Sequence, residues 1–449
     1  MPTAVNAGAR LDRLPISSFH HRIFWLIGAG MFFDGYDLYV GTTVLGATLQ
    51  SKFSTLAQNA QFISLTFLGM TIGAFVTGFL GDRYGRRFTY QFNLMIFGLA
   101  SLAAAFAPNM EVLNVLRLVM GLGLGAEIVV GYSTLTEFVP PKSRGRWLAF
   151  MAFLVVSGLP VTTLLGSVII PNWGWRPMFA IAGIGSLIVW YLRKALPESP
   201  RWLEAKGRGA EAETLLQTIE KEAAGVAPLP PPVASAPAEP LNLASLIGRR
   251  LLPSMVVGSV VLITINTLIF GFVVWLPQFF VQQGLTITRS FAYTLVIVLG
   301  SPIGCAIGAF GADLLGRRPS IIGASILTIV FGAIYPFVSE PAYLLTVGFL
   351  LIVSIYIQVA ILFGVYTPEL FPTEVRLRAN GICNTIGRAA TIVSPFIVVA
   401  LFQTYRVGGV LSLMIGLLVI QIIVVFLWGV EPRNRPLEDV SAATAPIPV

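Results

Sequence analysis

Five ionisable residues lie inside long apolar stretches of the sequence. An ionisable side chain at membrane depth costs about 2.5–3.5 kcal/mol even on a lenient insertion scale. Their combined free-energy cost is too large for a purely structural role to explain easily. These side chains are therefore expected to face a water-filled cavity or one another. The five residues are Asp34, Asp37, Arg117, Glu127 and Arg388.

Four of these residues have the chemistry of a proton switch. Asp34 and Asp37 are three residues apart and therefore share one helix face. A carboxylate that faces Arg117 can stay ionised, and the same group takes up a proton when the arginine moves away and leaves it desolvated. Glu127, ten residues after Arg117, is a further candidate proton acceptor. The alternatives are a static aspartate–arginine pair that fixes helix register, and a protonated Glu127 bonded to a neighbouring helix.

Arg388 indicates a different chemistry, the binding of an anion. No acidic residue occurs at comparable depth in the second half of the sequence. A guanidinium group held there is suited to a bidentate contact with the carboxylate of a ligand. The alternative is that Arg388 pairs with Asp34, Glu127 or backbone carbonyls across the bundle interface.

The composition requires that these residues be carried on membrane-spanning helices. The chain has 449 residues, of which 55% are hydrophobic and 11% charged, whereas soluble domains carry about 25% charged residues. This balance excludes soluble, disordered and fibrous proteins. Cys305, Cys383, His20 and His21 cannot supply a disulfide framework, a zinc site or a Ser/His/Asp arrangement. No metal, cofactor or enzymatic activity is therefore expected.

Twelve apolar runs are long enough to cross a bilayer, and the basic residues orient them. Only four of the 29 lysines and arginines (Lys52, Arg176, Arg289 and Arg406) fall in the loops on one side. This asymmetry places both termini in the cytoplasm and makes the basic residues topology determinants rather than a nucleic-acid-binding groove. The predicted spans cover residues 23–47, 60–81, 88–107, 111–133, 147–170, 176–196, 251–280, 290–312, 318–338, 341–366, 379–403 and 407–430.

The one long loop divides the chain into two halves. Residues 1–196 are predicted to form an N-terminal six-helix bundle, and residues 251–449 a C-terminal six-helix bundle with a cytoplasmic tail. Between them, residues 197–250 form a cytoplasmic linker, with a charged helix over 201–224 followed by a Pro/Ala-rich tether over 227–240. The alternative function of this linker is a docking or regulatory segment.

The two halves repeat each other in two motifs. GDRYGRR at 81–87 corresponds to ADLLGRR at 312–318, with aspartates 231 residues apart, and two glutamates that each precede an arginine by seven residues are 232 apart. Two unrelated motifs at nearly one offset indicate a duplicated six-span unit. We interpret the charged residues as a cytoplasmic latch that ties helix ends together. The alternative is that the basic residues only fix the orientation of the helices in the membrane. The predicted latch is Asp82, Arg86, Arg87, Glu137, Arg144, Asp313, Arg317, Glu369 and Arg376.

These motifs resemble those of the major facilitator superfamily. GDRYGRR is similar to its cytoplasmic loop signature, residues 117–125 (RLVMGLGLG) are similar to its fourth-helix motif, and PESPRW at 197–202 resembles the sugar-porter branch and its metabolite:proton symporter relatives. The resemblance covers essentially the whole chain. It implies an all-α membrane protein with 12 transmembrane helices in two pseudo-symmetric six-helix bundles, which alternates access to a site at the midplane.

The resemblance also assigns roles. FDGYD at 33–37 resembles the first-helix motif of aromatic-acid:proton symporters. Its GYD portion also resembles sugar porters, whose proton-linked members pair this second aspartate with the fourth-helix arginine. That resemblance makes Asp37 the first candidate for the proton site and Arg117 its partner. The placement of Arg388 in TIGR is similar to that in niacin permeases and other organic-anion members. The seventh helix differs from that of sugar porters, because it contains Asn266 but no glutamine pair. This difference argues against a sugar as the substrate.

The sequence thus predicts a proton-coupled symporter, a monomer in the inner membrane of a bacterium, that imports a small organic anion. The best candidate is an aromatic monocarboxylate such as nicotinate or a hydroxybenzoate. A sugar or polyol porter, an efflux antiporter and a non-transporting membrane receptor on the same fold are the alternatives. Proton coupling is assigned to Asp37, Asp34, Arg117 and Glu127. Substrate binding is assigned to Arg388, Glu127, Tyr36, Trp275, Asn266, Asn384 and Tyr366.

Overall fold

The structure is a computed structural model that describes residues 5–226, 228–231, 251–371 and 376–431. Most of the predicted Pro/Ala-rich tether lies outside these residues. Within the helices, the side chains of Asp82, Asp313 and Arg376 also lie outside the described part. These three members of the predicted latch are therefore placed on helices only.

The described residues form helices and no β-strand. In the first half they are α1 (Ala7–Asp12), α2 (Ser18–Gln50), α3 (Leu56–Tyr84), α4 (Arg86–Ala105), α5 (Met110–Phe138), α6 (Pro141–Trp173), α7 (Arg176–Leu192), α8 (Pro200–Ala205) and α9 (Gly209–Ala224). In the second half they are α10 (Leu252–Gly271), α11 (Leu276–Gln282), α12 (Ile287–Val298), α13 (Gly300–Leu315), α14 (Arg317–Ile334), α15 (Pro341–Ile361), α16 (Thr367–Glu369) and α17 (Arg376–Trp428).

Ten helical stretches among the described residues are long and apolar enough to cross a membrane. The stretch over Ala379–Trp428 is 50 residues long and contains a kink at Arg406, where φ is 57° and ψ is −153°. The helix α2, which carries Asp34 and Asp37, is 33 residues long and is not among the ten. An all-helical membrane fold is confirmed, and the count of twelve spans stays a prediction.

Several helices break where the sequence predicted continuous segments. The charged helix predicted over 201–224 is two helices, α8 and α9, because Gly207 between them takes a φ of 73°, which favours glycine. The seventh predicted span is interrupted by a 3₁₀ turn at Val273–Trp275, and α15 continues into a π-helical turn at Leu362–Tyr366. Such turns are common at functional sites.

Glycine allows the closest helix contact in the first half. A methyl group on Gly35 of α2 would come within 2.2 Å of the Val155 carbonyl oxygen of α6, and one on Gly158 within 2.4 Å of the Gly35 carbonyl carbon. Small residues of this kind permit helix backbones to approach in a bilayer, where apolar burial contributes little to association. The first part of α2, with its acidic residues, is thereby fixed against α6.

The described chain forms two compact units. One takes residues within Met1–Leu38, Leu68–Gly158 and Arg176–Pro237, and the other takes those within Tyr39–Phe67, Leu159–Trp175 and Ala238–Val449. The boundary therefore crosses α2, α3 and α6. In the second unit, Asn59 of α3 donates a hydrogen bond from Nδ2 to Gln278 Oε1 of α11 at 2.8 Å, and both residues are fully buried.

Ion pairs hold the N-terminal segment onto the linker helices of the first unit. Arg10 Nη2 and Arg13 Nη2 contact the carboxylate of Glu220 on α9 at 2.7 and 2.6 Å. Glu204 of α8 accepts hydrogen bonds from the backbone amides of Asn6 and Ala7 at 2.7 and 2.8 Å. The helix α1, which the sequence did not predict, is stabilised by these contacts.

Candidate functional site

Asp37 and Arg117 form an ion pair between α2 and α5. Arg117 Nη1 donates to Asp37 Oδ2, and Nη2 donates to the Asp37 backbone carbonyl at 2.8 Å. Both side chains are almost completely buried. The structure thus brings together the two residues that the sequence paired. Their role in proton coupling stays a prediction.

Glu127 and Arg193 form a second buried ion pair. Arg193 Nη1 donates to Glu127 Oε1, while its Nε and Nη2 each donate to a backbone carbonyl of α2, those of Leu26 and Ile27, at 2.7 Å. The guanidinium carbon also lies 4.8 Å from the ring centroid of Tyr90, within cation–π distance. Glu127 was predicted as a proton acceptor and substrate ligand. The charge of its carboxylate is therefore balanced by an arginine that sequence reasoning missed.

Gly30 creates the space for this second pair. A methyl group on Gly30 would lie 1.9 Å from Arg193 Nη2 and 2.9 Å from Glu127 Oε1. Any larger side chain at this position of α2 would occupy the place of the guanidinium group. The signal for Arg193 was present in the sequence, because the residue lies inside the predicted sixth span, 176–196. It was instead counted with the basic residues of the cytoplasmic linker.

Asp34 is the buried acid with no hydrogen-bond donor. It is 1% exposed, and neither carboxyl oxygen has a hydrogen-bond partner in the described part of the chain. The charged groups that act on it electrostatically are Glu127, Arg193 and Asp37. Asp34 lies one helical turn beyond Gly30, and so beside the Glu127–Arg193 pair.

Arg388 lies on α17, in the second unit. Among the described residues of the second unit, no acid and no carbonyl forms a hydrogen bond or ion pair with it. Asn384, one turn earlier, donates to Asn380 Oδ1 at 3.1 Å. A methyl group on the neighbouring Gly387 would lie 3.0 Å from Asn266 Nδ2, which places α10 and its amide against this part of α17.

The three aromatic residues assigned to substrate binding make packing contacts within the protein. Tyr36 donates from its hydroxyl to the Met178 carbonyl at 3.2 Å, and Trp275 donates from Nε1 to the Phe270 carbonyl at 3.1 Å. Tyr366 is fully buried, and its hydroxyl lies 2.8 Å from the position of a methyl group on Gly429, at the end of α17. These contacts describe packing.

The predicted latch contains one ion pair that both halves repeat. The guanidinium of Arg86 contacts Glu137 Oε1 at 3.1 Å, and that of Arg317 contacts Glu369 Oε2 at 3.1 Å. The other two described arginines of the latch have separate partners: Arg87 donates to the Lys194 carbonyl at 2.9 Å, and Arg144 contacts Asp12 at 3.3 Å.

Two further glutamates complete this repeat. Glu198 accepts the backbone amides of Arg86 and Arg87 at the start of α4, and Glu431 accepts those of Arg317 and Arg318 at the start of α14. Sequence reasoning assigned no role to either glutamate. Their spacing of 233 residues was the available signal, since it lies within two residues of the offset of the other repeated motifs.

A comparison with known protein families identifies the family of the chain. Residues 25–443 match the family described as sugar (and other) transporter. The chain belongs to this family. It is therefore a multi-pass membrane transporter of the major facilitator superfamily rather than an enzyme, as the sequence motifs predicted.

Individual relatives agree with this assignment. The transporter is 36% identical to the inner membrane metabolite transport protein YdjE of Escherichia coli (strain K12), over 97% of this chain and 98% of the relative. It is 28% identical to the niacin transporter NiaP of Acinetobacter baylyi, over 96% and 99% of the two chains. The crystal structure of a D-xylose-proton symporter has the same fold, with a TM-score of 0.71, 17% identity and coverage of 93% and 100%.

Proposed function

We propose that this transporter is a proton-coupled symporter that imports a small organic anion, with an aromatic monocarboxylate such as nicotinate or a hydroxybenzoate as its substrate. The observation that carries this proposal is the guanidinium of Arg388, which has no ion-pair or hydrogen-bond partner among the described residues of the second unit. A permanent cation held in a transmembrane helix without a counter-ion is stabilised by an anionic ligand, and its planar donors match a carboxylate. The 28% identity to a niacin transporter supports this substrate class.

Coupling to protons is proposed to use the buried acids of α2. Asp37 faces Arg117, whereas no described residue donates a hydrogen bond to Asp34, so the two carboxyl groups on one helix face have different environments. A conformational change that exchanges these environments would change the affinity of the helix for a proton. The likeness in fold to a D-xylose-proton symporter is compatible with such coupling.

The setting proposed for this activity is the bacterial inner membrane, with the protein acting as a monomer and both termini cytoplasmic. An inner membrane relative at 36% identity supports the location. In this orientation the ion pairs of Arg86 and Arg317 lie at the cytoplasmic ends of the helices. They would form the latch that holds those ends together and opens when substrate is released inside.

A sugar or polyol porter is the second candidate. The amides of Asn380 and Asn384 lie on α17 shortly before Arg388, and that of Asn266 on α10 lies against Gly387. These amides could bond hydroxyl groups. The match to the sugar (and other) transporter family is compatible with this candidate as well. It predicts uptake of neutral polyols and no loss of transport in Arg388→Lys.

The experiment that tests the proposal is uptake into proteoliposomes under an imposed proton gradient, with radiolabelled nicotinate, 4-hydroxybenzoate and xylose in parallel. We expect accumulation of at least one carboxylate, and its loss when the gradient is collapsed. In Asp37→Asn we expect no gradient-driven accumulation. Accumulation of xylose alone would establish the second candidate, and binding without accumulation of any of the three would indicate a receptor.

A further inference from the structure

Among the described residues of the first unit, the buried carboxyl groups outnumber the buried guanidinium groups. Asp34, Asp37 and Glu127 supply three carboxyl groups, whereas Arg117 and Arg193 supply two guanidinium groups. Each arginine is already paired with one acid. If all three acids were ionised, one negative charge would be buried without a partner, which costs several kcal/mol. One acid of this cluster is therefore expected to hold a proton in the conformation described.

Asp34 is the acid that the geometry selects. The carboxylate of Asp37 receives a charged hydrogen bond from Arg117, and that of Glu127 receives one from Arg193, so both are stabilised as anions. Asp34 receives no hydrogen bond from any described residue and is 1% exposed. We propose, building on the proton-coupled function above, that Asp34 carries the transported proton and passes it to Glu127, with Arg193 as the positioning residue that changes partner.

The transfer conserves both atoms and charge. The O–H bond of Asp34 breaks and an O–H bond forms on Glu127, whose Oε2 has no hydrogen-bond partner in the described structure. As Glu127 becomes neutral, Arg193 turns from Glu127 to the new carboxylate of Asp34. The cluster keeps one neutral acid throughout, so no step leaves an unpaired charge in the membrane.

Arg193 occupies a position that suits this exchange. It lies in the short turn Arg193–Ala195 after α7, which connects the transmembrane helix to the linker. Its other donors are held by the carbonyls of Leu26 and Ile27, two turns before Asp34 on the same helix. A shift of α2 relative to this turn would move the guanidinium from one carboxyl group to the other.

Two measurements test the proposal, and the first needs no substrate. Infrared difference spectra of the purified full-length protein, between neutral and alkaline pH, report the carbonyl band of a protonated buried carboxyl. We expect this band in the wild-type protein and in Asp37→Asn, and we expect its loss in Asp34→Asn. Persistence of the wild-type band in Asp34→Asn would overturn the assignment, even if transport is proton-coupled.

The second measurement uses nicotinate in proteoliposomes. We expect Asp34→Asn to lower gradient-driven accumulation by about tenfold or more while counterflow exchange stays within about twofold, because asparagine mimics the protonated state. Arg193→Gln should shift the pH profile of accumulation, and Arg193→Lys should restore part of it. Wild-type accumulation and pH profile in both Asp34→Asn and Arg193→Gln would contradict the relay. Absence of proton-driven uptake in the wild-type protein would instead contradict the proposed function, while the infrared result would stand.

Should Arg193→Gln fail to fold, the double variant Glu127→Gln/Arg193→Gln provides the control. It removes both charges of the pair together and leaves no unpaired buried ion. We expect it to fold and to exchange nicotinate but to lose the pH dependence. An unchanged pH dependence in the folded double variant would contradict the positioning role of Arg193.

Discussion

Glu127 and Arg193 form a buried ion pair between α5 and the turn after α7, although 66 residues separate them along the chain. The pair also binds two carbonyls of α2, so three segments of the first unit meet at one guanidinium group. Removing one member of such a pair leaves an uncompensated buried charge and typically costs about 3–5 kcal/mol. The part of α2 that precedes its acids is therefore bound by a residue outside the predicted proton site.

Gly30→Ala is expected to disrupt this ion pair without changing any charge. The added methyl group would lie 1.9 Å from Arg193 Nη2, so the guanidinium must move away from Glu127. We expect a loss of stability of about 3 kcal/mol or more, since the displaced arginine leaves Glu127 unpaired. Thermal unfolding of the detergent-solubilised protein measures this effect. Gly416→Ala is the control, because nothing lies within 4 Å of its added methyl group. Equal melting temperatures for the two variants would contradict this prediction.

Arg388→Ala is expected to weaken anion binding selectively. Loss of a charged hydrogen bond is worth about 1.5–3 kcal/mol, so the half-saturation concentration for the carboxylate should rise by about tenfold or more. Initial rates of nicotinate uptake as a function of concentration give this value. Arg289→Ala removes an equal charge from an exposed position and is expected to leave it unchanged. An unaltered half-saturation concentration in Arg388→Ala would remove this residue from the substrate site.

Glu198→Gln and Glu431→Gln are expected to have similar effects on the two halves. Each variant keeps an acceptor oxygen but loses the negative charge at the N-terminus of α4 or α14. The expected loss is about 0.5–2 kcal/mol for either helix. Melting temperatures in detergent measure it, with Glu340→Gln as a control because Glu340 precedes α15 without a side-chain capping bond. A decrease for only one of the two glutamates would show that the repeat is not energetically symmetric.

The N-terminal segment is expected to detach at acidic pH. Hydrogen bonds from Arg10 and then Arg13 lower the pKa of Glu220, and a hydrogen bond from Arg10 lowers that of Glu213. A lowered carboxyl pKa in the folded state contributes stability that is present above the ordinary value, near 4.3, and is lost as the pH falls through the lowered value.

Hydrogen exchange of the amides of residues 7–12 measures this detachment. We expect protection to be constant at neutral pH and to fall below pH of about 4, after correction for the intrinsic exchange rate. Glu220→Gln should lower the protection already at neutral pH, whereas Glu211→Gln, whose partner is Arg208 on the linker, should not. Equal protection in Glu220→Gln and the wild-type protein would contradict the role of this ion pair.

The sequence predicted the membrane fold well because the cost of placing charge in a bilayer restricts which residues can form a span. The apolar runs and repeated loop motifs were sufficient for the superfamily. The breaks at Gly207, at Val273–Trp275 and at Arg406 were not predicted, because they depend on backbone torsion angles that composition does not specify.

The sequence predicted the acidic residues of the candidate site but not all of the arginines that pair with them. Asp37 and Arg117 could be paired because both are expensive at membrane depth. Arg193 was missed because it lies at the end of an apolar run, where a basic residue is ordinary. Glu431 was missed because it follows the last predicted span, and only its spacing from Glu198 connects it to the repeat.

The contact between Glu431 and the first residues of α14 limits where the C-terminus can be labelled. Glu431 is the last described residue, and its carboxylate accepts the amides of Arg317 and Arg318 at 3.0 and 2.8 Å. A fluorescent reporter fused after this residue retains both acceptor oxygens. A reporter that replaces the chain from Val430 onward exposes two amides at the start of α14, more than a hundred residues away in sequence.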